Sequence, residues 1–298
     1  MVTAPDLRVP VRQLAALVTV QLVFGLHPIA SKLVFPAFGA AGVCAARAIG
    51  AAAFFQLARL VAREPAMNAA LHGRVAVASL LGIVSNQLLF MYGLQRTTAT
   101  HATLLIVTVP VATLFIAILA RRERPLRHRV AGITLAFLGA AIVVSGRGST
   151  EGGDLVGDLM IVANALAYGG YLVLSRDLLK QVPPLTLAAW LFTWGAPAVL
   201  VITGIPMANA ATATDWVVLA FIVLGPTIGT YFLNLFALRS LPSSVVAVFV
   251  CLQPVVTGVL AVPLLGETLT LRTLVAGALT MIGVTVATRP ETPSPKGP

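Results

Sequence analysis

The side chains here that could do chemistry are a handful of ionisable groups set inside long apolar stretches: His27, Lys32, Arg47 and His101. An ionisable group kept in an apolar surrounding is costly and is therefore a functional candidate. Arg47 is the sharpest case, because no acidic residue neighbours it in sequence. Its guanidinium needs helix carbonyls, a distant acid such as Asp158, or an anionic ligand to which it offers a bidentate fork. A structural tie and a carboxylate site both satisfy that need. His27 and His101 could carry protons, since imidazole titrates near neutral pH. They could equally be neutral, hydrogen-bonded bundle residues. Lys32 lies close enough to the end of its stretch to snorkel. No Asp or Glu falls centrally in any apolar stretch. Any proton-linked chemistry inside these stretches therefore falls to histidine rather than to an acid.

Uncharged polar residues add stripes at helical spacing. Asn164, Tyr168, Tyr171 and Ser175 share one face, as do Thr227, Thr230, Tyr231 and Asn234. Opposite the latter stand Ile83, Asn86, Gln87 and Phe90. These stripes predict a central polar cavity, with interhelical hydrogen bonding as the plainer alternative. Trp190 and Trp194 would make one cavity wall aromatic, unless they are interface anchors. The expected substrate-binding set is thus His27, Arg47, Asn86, Gln87, His101, Asn164, Tyr168, Tyr171, Trp190, Trp194, Tyr231 and Asn234. Cys44 and Cys251 have no motif spacing, and the sequence has no HExxH, His/Asp cluster or activated Ser or Cys pair. An enzyme, a metal site and a cofactor are not expected.

Such residues must be positioned by elements that suit the composition. Of 298 residues, 58% are hydrophobic and only 10% charged, with a mean hydropathy of +0.95. A soluble domain carries about 25% charged residues, so an all-α membrane protein is expected. Ten stretches reach the roughly 20 apolar residues of a spanning helix: 11–35, 39–61, 73–94, 97–120, 128–146, 155–175, 185–205, 215–238, 243–265 and 270–288. The first is longer than the about 7–15 residues of a signal-peptide core and is read as retained. The net charge of +10 has a topological reading. With the N-terminus inside, 15 of the 20 basic residues fall in inside segments. Lys32, Arg96, Arg147 and Arg272 fall outside, and Arg47 lies within a span. Both termini are therefore expected in the cytoplasm of a cell whose inner membrane holds the chain, and nucleic acid is dismissed as a partner.

Sliding the chain over itself by 144 residues aligns Gly25 with Gly169, Ser31 with Ser175, Lys32 with Arg176, Pro110 with Pro254, Thr113 with Thr257, Glu123 with Glu267 and Gly139 with Gly283. One offset serves throughout. Residues 11–146 and 155–288 then form two repeats of five spans each, and an odd number inverts the second copy. Inverted repeats are the mark of secondary transporters, whose substrate sites lie between the copies near the midplane. Pro110 and Pro254 would be matched kinks, serving as hinges or as static bends. Glu123 and Glu267 are expected to cap or tether the start of the next helix.

The run Leu252-Gln253-Pro254-Val255-Val256 through Leu265-Gly266-Glu267-Thr268, followed by Gly277 and Gly283, resembles the EamA-type repeat of the drug/metabolite transporter superfamily. The first copy, Thr97–Gly139 with Pro110 and Glu123, is similar but carries Arg122 where the family usually has Gly, and His27-Pro28 departs from the usual start. The resemblance covers about residues 11–288. It implies a ten-helix, 5+5 inverted-repeat carrier of small organic metabolites, often an exporter. Amino acids or related carboxylates are the leading cargo expectation. Export of hydrophobic drugs or cations, or a non-transporting receptor or scaffold, are the alternatives. The partners expected are the lipid bilayer and a small-molecule substrate, with a homodimer allowed.

Overall fold

The computed structural model describes residues 10–122, 127–145, 154–204 and 208–287. Glu123 and the basic residues Arg8, Arg124, Arg147, Arg289 and Lys296 lie outside the described residues. All regular structure among the described residues is helical. The helices are α1 (Val11–Val61), α2 (His72–Ser79), α3 (Asn86–Arg96), α4 (Ala99–Ile106), α5 (Val109–Leu119), α6 (Arg127–Ser145), α7 (Leu155–Leu178), α8 (Pro184–Thr203), α9 (Ala213–Val223), α10 (Thr230–Ser240), α11 (Ser243–Val248), α12 (Gln253–Leu265) and α13 (Leu271–Ala287). A backbone in hydrocarbon must satisfy its own hydrogen bonds, which helices do. Among the described residues, seven helical stretches are long and apolar enough to cross a membrane, and Val130–Ile142 and Leu274–Val286 are shorter apolar helices. Leu57, Val201, Val217, Val259 and Leu271 stand on the outside, each more than 60% exposed. The protein is a multi-pass membrane protein, and this apolar exterior meets lipid.

Breaks in the helices fall at residues that demand them. Gly39 has φ 62° and ψ 176°, a conformation essentially confined to glycine, and it bends α1 into two segments. Straight helix gives way to π-helical turns at Leu80–Ser85 and Leu224–Gly229, an offset of 144 residues. Pro226 explains the second turn. Proline has no N–H to give the carbonyl four residues back, and the hydroxyl of Thr227 donates to that Ile222 carbonyl instead, at 2.8 Å. Pro110 and Pro254 do not bend a helix from within. Each occupies the first turn of a new helix, α5 and α12, where its missing N–H costs nothing.

Glycine contacts repeat at the same offset. A Cβ on Gly139 would meet Thr280 N at 2.8 Å and Ala276 O at 2.9 Å. One on Gly283 would meet Ala136 Cα and Gly132 O, both at 2.8 Å. Small residues let two helix backbones approach where lipid offers no hydrophobic drive for association. Likewise the Gly25 carbonyl accepts from Thr257 Oγ1 at 2.7 Å, while a Cβ on Gly169 would strike Thr113 N at 2.8 Å.

Glu267 differs from the sequence expectation. Its carboxylate does not cap the following α13. It accepts from Ala99 N (2.6 Å), Thr100 N (2.9 Å) and Thr100 Oγ1 (2.7 Å) at the start of α4. Gly266, left-handed at φ 68°, ends α12 and turns the chain there. The free N–H groups and positive dipole end of α4 supply the attraction.

Gly139→Val and Gly283→Val should each destabilise the fold by about 1–3 kcal/mol, because backbone cannot retreat from the added methyls. Gly258, which has open space where a methyl would project, is the control: Gly258→Ala should gain about 0.5–1 kcal/mol of helix stability. Chemical denaturation in detergent reads both signs.

Candidate functional site

A cavity opens among α1, α3, α4, α5, α7, α10 and α12. Its apolar lining residues are Phe24, Phe90, Ile106, Val109 and Val250. Its polar ones are His27, Arg47, Asn86, Asn164, Tyr168, Tyr231 and Gln253. No acidic side chain lines it among the described residues.

Arg47 is carried by the second segment of α1 and is only 3% exposed. Its Nε donates to Thr227 Oγ1 at 2.8 Å, within the second π turn, and it makes no ion pair among the described residues. The same hydroxyl thus patches the gap left by Pro226 and orients the guanidinium. Asp158, the acid considered as a partner for Arg47, instead accepts from Thr97 Oγ1 at 2.7 Å. The first π turn serves Tyr231. Tyr231 donates its hydroxyl proton to Gly82 O at 2.6 Å, and Gly82 lacks a Cβ that would otherwise run into the Tyr171 ring. A π turn exposes backbone and shifts the helix face, which is why such turns gather at functional sites.

The uncharged polar residues bond to one another in three groups. Asn164 Nδ2 donates to both Asn86 O (2.7 Å) and Asn86 Oδ1 (2.9 Å). Asn86 Nδ2 reaches the Tyr231 hydroxyl at a long 3.5 Å. Asn234 Nδ2 donates to Tyr168 Oη at 3.0 Å, and Gln253 Nε2 to Gln21 Oε1 at 2.7 Å. His27 is 3% exposed, stacks on Phe90 with centroids 5.5 Å apart, and its Nε2 has no partner.

Six of the twelve residues expected from sequence meet at this cavity: His27, Arg47, Asn86, Asn164, Tyr168 and Tyr231. Asn234 lies behind Tyr168, and Tyr171 is buried against Tyr168 and Tyr231. Gln87 is fully buried away from the lining, with neither amide atom partnered. His101 sits half-buried in the first turn of α4, off the lining. Trp190 and Trp194 are elsewhere, packed on His72 at centroid distances of 4.5 and 6.1 Å. Gln253, Ile106, Val109 and Val250 escaped the sequence reading. A glutamine inside an apolar run, just ahead of Pro254, was the available signal.

A multi-span helical protein enclosing a cavity with polar and charged lining is built as a membrane carrier. The chain belongs to the EamA-like transporter family, which matches residues 12–145 and again 155–289. It is a transporter, not an enzyme. An uncharacterized transporter of Archaeoglobus fulgidus is 28% identical over 222 residues, spanning 72% of this chain and 75% of its own. The Bacillus subtilis uncharacterized transporter YyaM is 24% identical over 220 residues, 71% of each chain. A WAT1-related protein of Arabidopsis thaliana is 25% identical over 316 residues, 92% of this chain and 80% of its own. A protein crystal structure superposes with a TM-score of 0.67 at 18% identity, covering 93% of this chain and 96% of the other, a likeness of fold.

Tyr231→Phe should strand the Gly82 carbonyl without its donor and cost about 1–3 kcal/mol. Denaturant unfolding should show that loss, and Phe232→Leu on the exposed face of the same helix should show little.

Proposed function

We propose that this protein is a secondary transporter that exports small organic carboxylates, amino acids or their relatives, by alternating access. The observation that carries the reading is Arg47: a buried guanidinium in the cavity wall, held by one neutral hydroxyl and matched by no acid among the described residues. A carboxylate supplies the missing charge, and the planar fork suits it. Phe24 and Phe90 offer the cargo's carbon skeleton an apolar surface, while Asn86, Asn164, Tyr168 and Tyr231 orient its polar groups. A cationic cargo would be repelled by the same guanidinium, so the drug-cation reading is disfavoured.

Ten crossings follow when the two segments of α1 count separately and the shorter apolar helices of α6 and α13 each cross. Five then fall in 11–146 and five in 155–288, an odd number that inverts the second repeat. The equal offset of the π turns, of the helix starts at Pro110 and Pro254, and of the paired glycines supports this reading. The charge bias supports cytoplasmic termini in a bacterial inner membrane. Opposed copies give alternating access its two exchangeable states.

Purified protein in proteoliposomes should exchange labelled amino acids or organic acids from a broad panel. Arg47→Gln should cut that exchange at least about tenfold, the loss of one charge-assisted interaction of about 1.5–3 kcal/mol, with insertion unchanged. Normal exchange by Arg47→Gln, or no exchange of any carboxylate by the unaltered protein, would overturn the reading.

A further inference from the structure

A second polar cluster lies apart from the cavity, at the end of α1, the start of α2 and on α8. Arg59 is braced there: its Nε donates to Gln56 Oε1 at 3.0 Å, and Gln56 Nε2 donates to Thr193 Oγ1 at 2.6 Å. The brace lays the guanidinium over the Trp190 ring, 5.7 Å from its centroid. His72 packs edge-on against Trp190, and its Nδ1 accepts from Trp194 Nε1 at 3.4 Å. That bond assigns the remaining proton of a neutral imidazole to Nε2. Trp190 Nε1 has no acceptor, and Arg59 makes no ion pair among the described residues.

The open polar groups of Arg59 and His72 are donors, guanidinium N–H groups and an imidazole N–H. One turn before Trp190 on α8, Thr186 Oγ1 donates to Glu64 Oε2 at 2.9 Å, so that carboxylate is engaged elsewhere, and Arg59 itself has no anionic acceptor among the described residues. Its surroundings are the lipid-facing exterior, where Leu57 is 63%, Leu60 64%, Leu80 54% and Trp194 45% exposed. A soluble anion would leave those apolar neighbours uncovered, whereas a phospholipid brings phosphate and acyl chains together. We propose that this groove seats the phosphate of an anionic phospholipid, with Arg59 and His72 donating to it and Leu57, Leu60 and Leu80 against its chains. Basic pockets between spanning helices are known to take such headgroups.

The chain has three tryptophans, so Trp216→Phe leaves Trp190 and Trp194 as the only indole reporters. This variant is reconstituted in phosphatidylcholine vesicles containing phosphatidylglycerol, with acyl-chain bromine on an equal mole fraction of one lipid or the other. Brominated phosphatidylglycerol should quench the fluorescence at least about twofold more than brominated phosphatidylcholine. Arg59→Gln in the same background should bring the two to parity; if it does not insert, His72→Phe takes its place. Equal quenching by both lipids in the Trp216→Phe protein would overturn the proposal, as would an excess that Arg59→Gln leaves unchanged.

Discussion

A guanidinium buried among helices must be held somewhere, and in this protein it is held by a single hydroxyl rather than by an acid. The geometry of that hold depends on a helix defect. Pro226 denies Ile222 O its ordinary donor, Thr227 supplies one, and the widened turn presents the same hydroxyl oxygen to Arg47. A regular helix there would satisfy its own carbonyl and leave the arginine with no oriented partner. The cavity therefore carries a net positive pole that nothing in its described lining neutralises. Leaving a charge uncompensated is expensive, and under the proposed function an anionic cargo offsets that cost.

The remaining architecture keeps this pole in a cavity of fixed shape. Close glycine contacts at Gly139 and Gly283, and at Gly25 and Gly169, bring helix backbones together where lipid provides no squeezing force. The first π turn gives Tyr231 a carbonyl to grip, which fixes the phenol opposite the asparagine pair. Glu267 ties the start of α4 to the loop after α12. Paired defects at one offset mean that the same local chemistry was built twice and used differently: one π turn orients a cation, the other a phenol.

Much of this was legible in the residues. Apolar length located helices long enough to cross a membrane, and the 144-residue offset pairs Gly139 with Gly283, which sit at equivalent contacts between α6 and α13. Arg47, His27, Asn86, Asn164, Tyr168 and Tyr231 stood out because a polar group in an apolar stretch is conspicuous, and they do meet. The rest was hidden for physical reasons. Trp190 and Trp194 shared helical spacing with a cavity face, but helical spacing does not say which neighbour a face meets; here it is His72 and Arg59. π turns add a residue to the period and rotate everything beyond them, so stripes drawn through Leu80–Ser85 drift. Apolar wall residues such as Ile106 and Val250 carry no sequence signal that separates them from core. Glu267 caps a helix remote in sequence, a contact that only the packing of α12 beside α4 creates.

The most direct test is a distance. With a carboxyl-¹³C-labelled amino-acid or organic-acid cargo bound to protein carrying ¹⁵N-guanidinium arginine, rotational-echo solid-state NMR reads the separation of carboxylate carbon and guanidinium nitrogen. A charge-assisted contact predicts about 3.5–4 Å, abolished in Arg47→Lys protein that still inserts. A bound cargo whose carboxylate gives no arginine dephasing, or the same dephasing after Arg47 is replaced, would contradict the account.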